Sequence, residues 1–571
     1  MKPTLPQNDS SPELRLKGLD RARGSYQYNT DYYDLVMAEE VPKGDGYSME
    51  YMAGVVKLKA LLQANHVAGG TPKLKAEVAQ GELEAVERGE MRATLDRLKA
   101  DTIDGTPAAR PERIEDYEAM FARVDRPTQA DLWREDWYFG WQQIAGGTPT
   151  SLARMDRVPD KFPLTAAHYS RALGGRDSLD AALAEGRLYA VDYALLDGIP
   201  AGVTTGYQKH LWAPIAAFAR TPGGELLPVG VQCGQTPGAD NPIYTPRDGL
   251  RWEMARMTTQ IAEVNWNGTT VHLGFCHLVM EAVILTSYRE LSSRHPLMVL
   301  LDPHFEMTLV VNETARGSLI NPGGYMDRLQ SGTLEGSIEL LKRGMSALRL
   351  DRAGLAADLK ARGVDDTDAL PVYPFRDDGL PVNRAIHRWV DGYLRLYYRA
   401  DADVVADTEL RAWRDALGAA GGLNGVPDLD TVAGLVTFVS DLLYRCTAYH
   451  STINYSGYEA AGFPPNQPTA GFGPGPSPDR EPTEADLLAM MPPLNVARGA
   501  FTLMYTLQET RYSQLGQYPR LHFKDPPVWP LLLAFQAELE SVEAQTAARN
   551  TSRRLPYSHL LPSRIPQSIH V

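Results

Sequence analysis

The strongest constraint in this sequence is a long, nearly proline-free apolar stretch that carries histidines. Between Trp252 and Leu291 there is no proline, and the only glycines are Gly268 and Gly274. Apolar residues recur at spacings of three and four, the pattern of a buried helix. Four of the twelve histidines, His272, His277, His295 and His304, fall within 33 residues of this region. Buried imidazoles need partners. In an ordinary α-helix, side chains five apart diverge by about 140°, too far to share one small ligand. A π-type turn brings both rings to one side, and such turns cluster at functional sites. The spacing of His272 and His277 therefore predicts either a distorted helix holding a metal or two unrelated core histidines.

Further along, His450 and Asn454 are four residues apart, about 40° around a helix and so on one face. On spacing alone they are either two polar residues of one face or metal donors. The chain ends RIPQSIHV, an apolar tail finishing at Val571. Imidazole nitrogens with oxygen donors and no thiolate suit iron or manganese rather than a structural zinc knuckle.

These stretches together resemble the lipoxygenase family. Its core pattern appears in order as His272, His277, Glu281, Arg289, Leu291, His295, Pro296, Leu300, Leu301, Pro303, His304, Asn312, Ala315 and Arg316. The segment SLINPGG continues it, His450 and Asn454 match the later His-x3-Asn, and IPQSIHV matches the tail. The resemblance implies a mainly α fold whose long central helices carry the metal ligands, with small β-sheet elements. It also implies a ligand set of His272, His277, His450, Asn454 and Val571. The cofactor it implies is non-heme iron (Fe2+/Fe3+), with manganese as the alternative because a terminal valine is found in manganese-using fungal members.

The implied reaction is dioxygenation of a polyunsaturated fatty acid of the linoleate or arachidonate type by O2. A metal-bound hydroxide held by the ligands takes the hydrogen atom, and a conjugated hydroperoxide results, so no side-chain acid or nucleophile is required. Leu319 matches the leucine that presses the reactive carbons toward the metal. Ala315 matches the position where a small residue decides oxygen access, and Met326 matches a cavity-lining position. Four departures stand around the site: Asn267 replaces a common histidine, Gly268 and Gly457 replace a hydrogen-bonded glutamine pair, and Gln467 replaces a plant arginine. The paired loss of the two glutamines is expected to leave space or water beside the substrate. Thr314 takes the place of a carboxylate-binding arginine of some animal members. Two further readings keep the same fold: a hydroperoxide isomerase that forms epoxyalcohols, and a non-catalytic lipid-binding protein.

A net charge of −14 does not favour a nucleic-acid partner or a polybasic membrane anchor. Transient membrane contact through an apolar patch stays open, and the chain is expected to act as a monomer. Three cysteines, Cys233, Cys276 and Cys446, cannot form a disulfide framework. The first residues lack the apolar core of a secretory signal, which predicts a cytoplasmic protein and leaves export by another route open.

Residues 131–571 are expected to form the catalytic domain, with GRLYAVDYALLDG and PIAAFARTPGGELLPVGVQ as its strand-rich part. Residues 1–130 are expected to be a helical N-terminal extension packed on or covering that domain. One helix is predicted through MEYMAGVVKLKALLQ and a second through KLKAEVAQGELEAVERGEMRATLDRLKA. Nothing in the extension alternates with the period of a β-barrel. The Pro- and Gly-rich passage after the His450 helix is expected to be largely non-helical.

Overall fold

The computed structural model describes residues 2–69 and 109–571. The fold is mainly helical, and the second predicted N-terminal helix lies outside the described residues. The helices that position the site, in chain order, are α1 (Pro12–Ser25), α2 (Met49–Ala68), α3 (Leu250–Glu290), α4 (Thr308–Ser318) and α5 (Leu334–Ala347). They are followed by α6 (Pro374–Leu394), the composite α7, α8 (Leu494–Glu509) and α9 (Val528–Asn550). Helix α7 runs through Val432–Tyr444, a π segment Arg445–Tyr449 and His450–Tyr455.

Helix α3 is the axis. It is apolar and long enough to cross a membrane, yet 83% of its most apolar window is buried inside the protein, so its composition reflects a core position. Its middle, Asn267–Leu278, is a π-helix. In that register residues five apart lie nearly above one another, which is the distortion the His-x4-His spacing calls for. Close approach of α5 helps hold it. A Cβ on Gly274 would come within 2.8 Å of Leu341, and a Cβ on Gly344 within 2.0 Å of Thr270. The two glycines therefore let α5 lie against the π segment, and a side chain at either would push the helices apart.

A four-stranded antiparallel sheet forms before α3: β1 (Ala153–Arg154), β2 (Leu188–Asp192), β3 (Ile215–Arg220) and β4 (Leu226–Gln232), in that order. Strand β2 lies in the first predicted stretch, and β3 and β4 lie in the second, on either side of its Gly-Gly turn. Almost every residue of β3 and β4 is buried, so they read as continuous apolar runs rather than alternating ones. The Pro- and Gly-rich segment after α7 contains a single described helix, Glu484–Met490.

The N-terminal residues are tied into the core. The buried Arg15 guanidinium pairs with both oxygens of Glu409 and with Asp9. Arg289 at the end of α3 donates to the carbonyls of Arg23 and Tyr26 at 3.0 and 2.7 Å, and Tyr26 stacks on Tyr288 at 4.0 Å. Helix α2 lies on α8, with His66 Nε2 3.1 Å from Thr502 Oγ1.

Candidate metal centre

Three imidazoles meet where the π segments of α3 and α7 face each other. His272 Nε2 lies 3.2 Å from both His277 Nε2 and His450 Nε2, and the three nitrogens fall within 4.8 Å of one another. Burial holds all three rings neutral. His272 and His450 are driven well below the usual range by burial and by the neighbouring histidines. The main chain of Val571 lies against His450 and pulls slightly the other way. His277 is lowered by burial to about 4. Where their lone pairs converge, neutral rings repel each other, and a cation between them turns that repulsion into coordination.

The residues fit such a cation. Nitrogens about 2.1 Å from one ion and at right angles stand about 3.0 Å apart, close to the separations here. Asn454 adds an oxygen: its Nδ2 donates to the Leu507 carbonyl at 3.0 Å, while its buried Oδ1 has no hydrogen-bond partner. An unpaired buried amide oxygen beside three neutral imidazoles is what a hard or borderline cation would satisfy. Cys276 and Cys446 are buried and free, and burial pushes both thiols up, to about 12 for Cys276, so neither offers a thiolate.

The orientation of His277 is set from outside. Its Nδ1–H donates to Asn312 Oδ1 at 2.7 Å, which leaves Nε2 with its lone pair facing inward. Asn312 Nδ2 donates to Glu281 Oε2 at 2.8 Å and to the His277 carbonyl at 3.2 Å. Glu281 also accepts the Ala38 N–H at 2.7 Å, so the N-terminal segment reaches this network. Burial raises the Glu281 carboxyl to about 7. Sequence motifs contained Asn312 and Glu281 but gave neither a role.

His295 and His304 are elsewhere. The fully buried His295 donates to Asp407 at 2.9 Å and accepts the Leu297 N–H at 3.1 Å, capping a short helix. His304 holds the tail: its Nδ1–H donates to the Gln567 carbonyl at 2.8 Å. Thr308 Oγ1 donates to the Ile569 carbonyl at 2.9 Å, and Gly516 donates to Gln567 Oε1 at 2.9 Å. These bonds lead the tail inward to Val571.

His272 and Asn454 both face a cavity of about 870 Å³, part of it open to solvent. Leu319, Met326, Asn267, Gly268, Gly457 and Gln467 line it, as the sequence led one to look for. Ala315 is not among the lining residues; its carbonyl accepts the amides of Leu319 and Ile320 where α4 ends. Leu329, Leu503, Met504 and Leu507 add apolar wall that the motifs did not point to. The expected gap at the two glycines is corrected by packing. A Cβ on Gly268 would lie 2.6 Å from Gln330 Nε2, and one on Gly457 would lie 3.2 Å from Met504 Sδ. Side chains from other elements have moved into the room that two glutamines would take.

Thr148, Asn267, Gln467 and Thr469 are polar members of the lining, and Glu263 is buried beside Gln467 and Thr148. Burial raises the Glu263 carboxyl to about 7, against the opposing pull of Gln467, Gln143 and the Thr148 main chain. Among the described residues, no lysine or arginine lines the cavity.

Comparison with known proteins agrees with this architecture. The lipoxygenase family profile matches residues 115–557, beginning before the expected boundary at 131. The chain is 35% identical over 499 residues to the linoleate 9/13-lipoxygenase of Pseudomonas aeruginosa, covering 83% of this chain and 72% of that protein. The chain belongs to the lipoxygenase family. Within it, this lipoxygenase is 32% identical over 447 residues to the hydroperoxide isomerase ALOXE3 of Homo sapiens, covering 77% of this chain and 62% of that one. A lipoxygenase crystallised anaerobically with arachidonate superposes with a TM-score of 0.88 at 27% identity, covering 100% of this chain and 84% of that chain. The protein is thus an oxidoreductase of a non-heme metal family whose members act on fatty acids with oxygen.

Proposed function

We propose that this lipoxygenase dioxygenates polyunsaturated fatty acids of the linoleate or arachidonate type to conjugated hydroperoxides. The observation that carries the reading is the set of three neutral imidazole nitrogens and one unpaired amide oxygen at the wall of an apolar cavity. His272, His277, His450, Asn454 and an oxygen of Val571 would hold the metal. Iron is the proposed ion and manganese the alternative. When bound, it supplies the one-electron oxidation that lets a hydrogen atom leave the methylene between two cis double bonds.

The protein's own work is positional. Leu319, Met326, Leu329 and Ile453 form a wall that lays the hydrocarbon against the side of the cavity holding His272 and keeps bulk water away from a radical intermediate. Ala315, by closing α4, fixes where Leu319 stands and so how oxygen reaches the chain. The described lining holds no lysine or arginine, so none of these side chains pairs a substrate carboxylate. Helix α2, lying on the helix that supplies Leu503, Met504 and Leu507, is the proposed cover. A second reading, rearrangement of preformed hydroperoxides, is favoured by the Gln330 amide packed against Gly268 and by the similarity to an isomerase.

Oxygen consumption measured with conjugated-diene absorbance on metal-assayed protein and linoleic acid separates the two. Matched signals are the expected result. Epoxyalcohol formed from an added hydroperoxide, with no oxygen uptake from linoleate, would replace the first reading by the second.

A further inference from the structure

Gln330 belongs to none of the motifs that carried the family resemblance, yet its amide lies against the backbone of α3, four residues before His272. The absent Cβ of Gly268 makes the room, at 2.6 Å from Nε2. Thr269 Oγ1 donates to Gln330 Oε1 at 2.8 Å and orients the amide of this half-buried, cavity-lining residue, and Nε2 makes no hydrogen bond among the described residues.

The main chain behind it is fixed as firmly. Lys209, 1% exposed, donates from Nζ to the carbonyls of Asp327 at 2.7 Å, Gln330 at 2.5 Å and Gly332 at 3.4 Å. The Ser331 N–H donates to Asn265 Oδ1 at 2.9 Å. A lysine spent wholly on three carbonyls of one turn makes Gln330 a built feature rather than a loose surface side chain. Its neighbours in the wall are Val264, Leu319, Met326 and Leu329.

A bound chain that displaces water from this amide loses affinity unless it offers an acceptor in the water's place. A diene hydrocarbon has no lone pair to offer at this depth. A chain that already carries a hydroxyl or hydroperoxide beside its diene does have one. We propose that Gln330 is a specificity-determining residue, donating from Nε2 to the oxygen of an oxygenated polyunsaturated chain, so that the cavity prefers such chains to their unoxygenated parents. The inference rests on the reading of this cavity as the fatty-chain site. Its consequence is retention of the product, or acceptance of a hydroperoxide made elsewhere as a substrate.

The test is anaerobic titration calorimetry of the metal-loaded protein with linoleate and with the 9- and 13-hydroxyoctadecadienoates, whose single oxygen cannot undergo O–O cleavage. The wild type should bind at least one hydroxy isomer about threefold to tenfold more tightly than linoleate, the worth of one hydrogen bond. Gln330→Met should bring that ratio to about one while linoleate affinity stays within about twofold. Gly268→Ala, whose methyl displaces the amide while residue 330 stays a glutamine, should do the same. A wild-type ratio near one, or a ratio unchanged in both variants, overturns the inference while leaving the cavity reading intact. Failure of the wild type to bind either chain overturns the cavity reading and the inference with it.

Discussion

Replacing Asn312 by alanine should damage the metal centre without removing a ligand. The side chain is 1% exposed and serves three groups at once: His277 Nδ1–H at 2.7 Å, Glu281 Oε2 at 2.8 Å and the His277 carbonyl at 3.2 Å. Truncation leaves the His277 Nδ1–H and Glu281 Oε2 buried and unpaired, at about 1–3 kcal/mol each, so a stability loss of about 2 kcal/mol or more is expected. The ring of His277 also loses what fixes its tautomer, and changes of this kind lower metal affinity by about 10- to 100-fold. Asn312→Asp separates the two effects. It can still accept from Nδ1–H but can no longer donate to Glu281, so it should keep more of the metal affinity and lose stability. Chelator competition on anaerobically loaded protein reads the affinity, and urea unfolding reads the stability. Metal affinity within twofold of wild type for Asn312→Ala would refute the claim that this asparagine orients His277.

Three further outcomes follow from the same structure. Glu263 is raised to about 7, so the folded state holds a proton that the unfolded carboxyl releases from about pH 4.5 upward. Stability from this group therefore falls between about pH 4.5 and 7 and stays low above that, by at most about 3 kcal/mol. Glu263→Gln should raise the melting temperature at pH 8 and leave pH 4.5 nearly unchanged; an equal effect at both values would sink the assignment. Lys209→Met strips the donor from three carbonyls and should lower stability by about 2–4 kcal/mol in urea unfolding, where a loss below about 0.5 would show the turn holds itself. His304→Ala frees the tail at Gln567 and should reduce metal retention in dialysis although His304 touches no proposed donor, whereas wild-type retention would mean that Thr308 and Gly516 suffice to hold Val571 in place.

The local features were legible and the distant ones were not. The five-residue spacing of His272 and His277 is incompatible with an ordinary helix sharing one ligand, and α3 resolves it with a π segment. The His450–Asn454 spacing is satisfied by ordinary helical geometry within α7. What the chain does at Gly268 could not be read the same way. A missing side chain leaves a space, and whether it is filled depends on packing from Gln330, 62 residues away and on another element. The tail's route is equally non-local, since it depends on His304 and Thr308. Glu281 and Asn312 could be located by motif, but their roles emerge only when α3, α4 and the Ala38 segment are assembled.

Elemental analysis of purified protein shows whether the three imidazoles hold one redox metal. About one iron, or one manganese, per wild-type chain is expected, given the single three-histidine cluster among the described residues. Loss of that metal and of oxygen uptake is expected in His277→Ala and His450→Ala, with helicity largely kept. Full metal content and undiminished oxygen uptake in either variant would contradict that coordination.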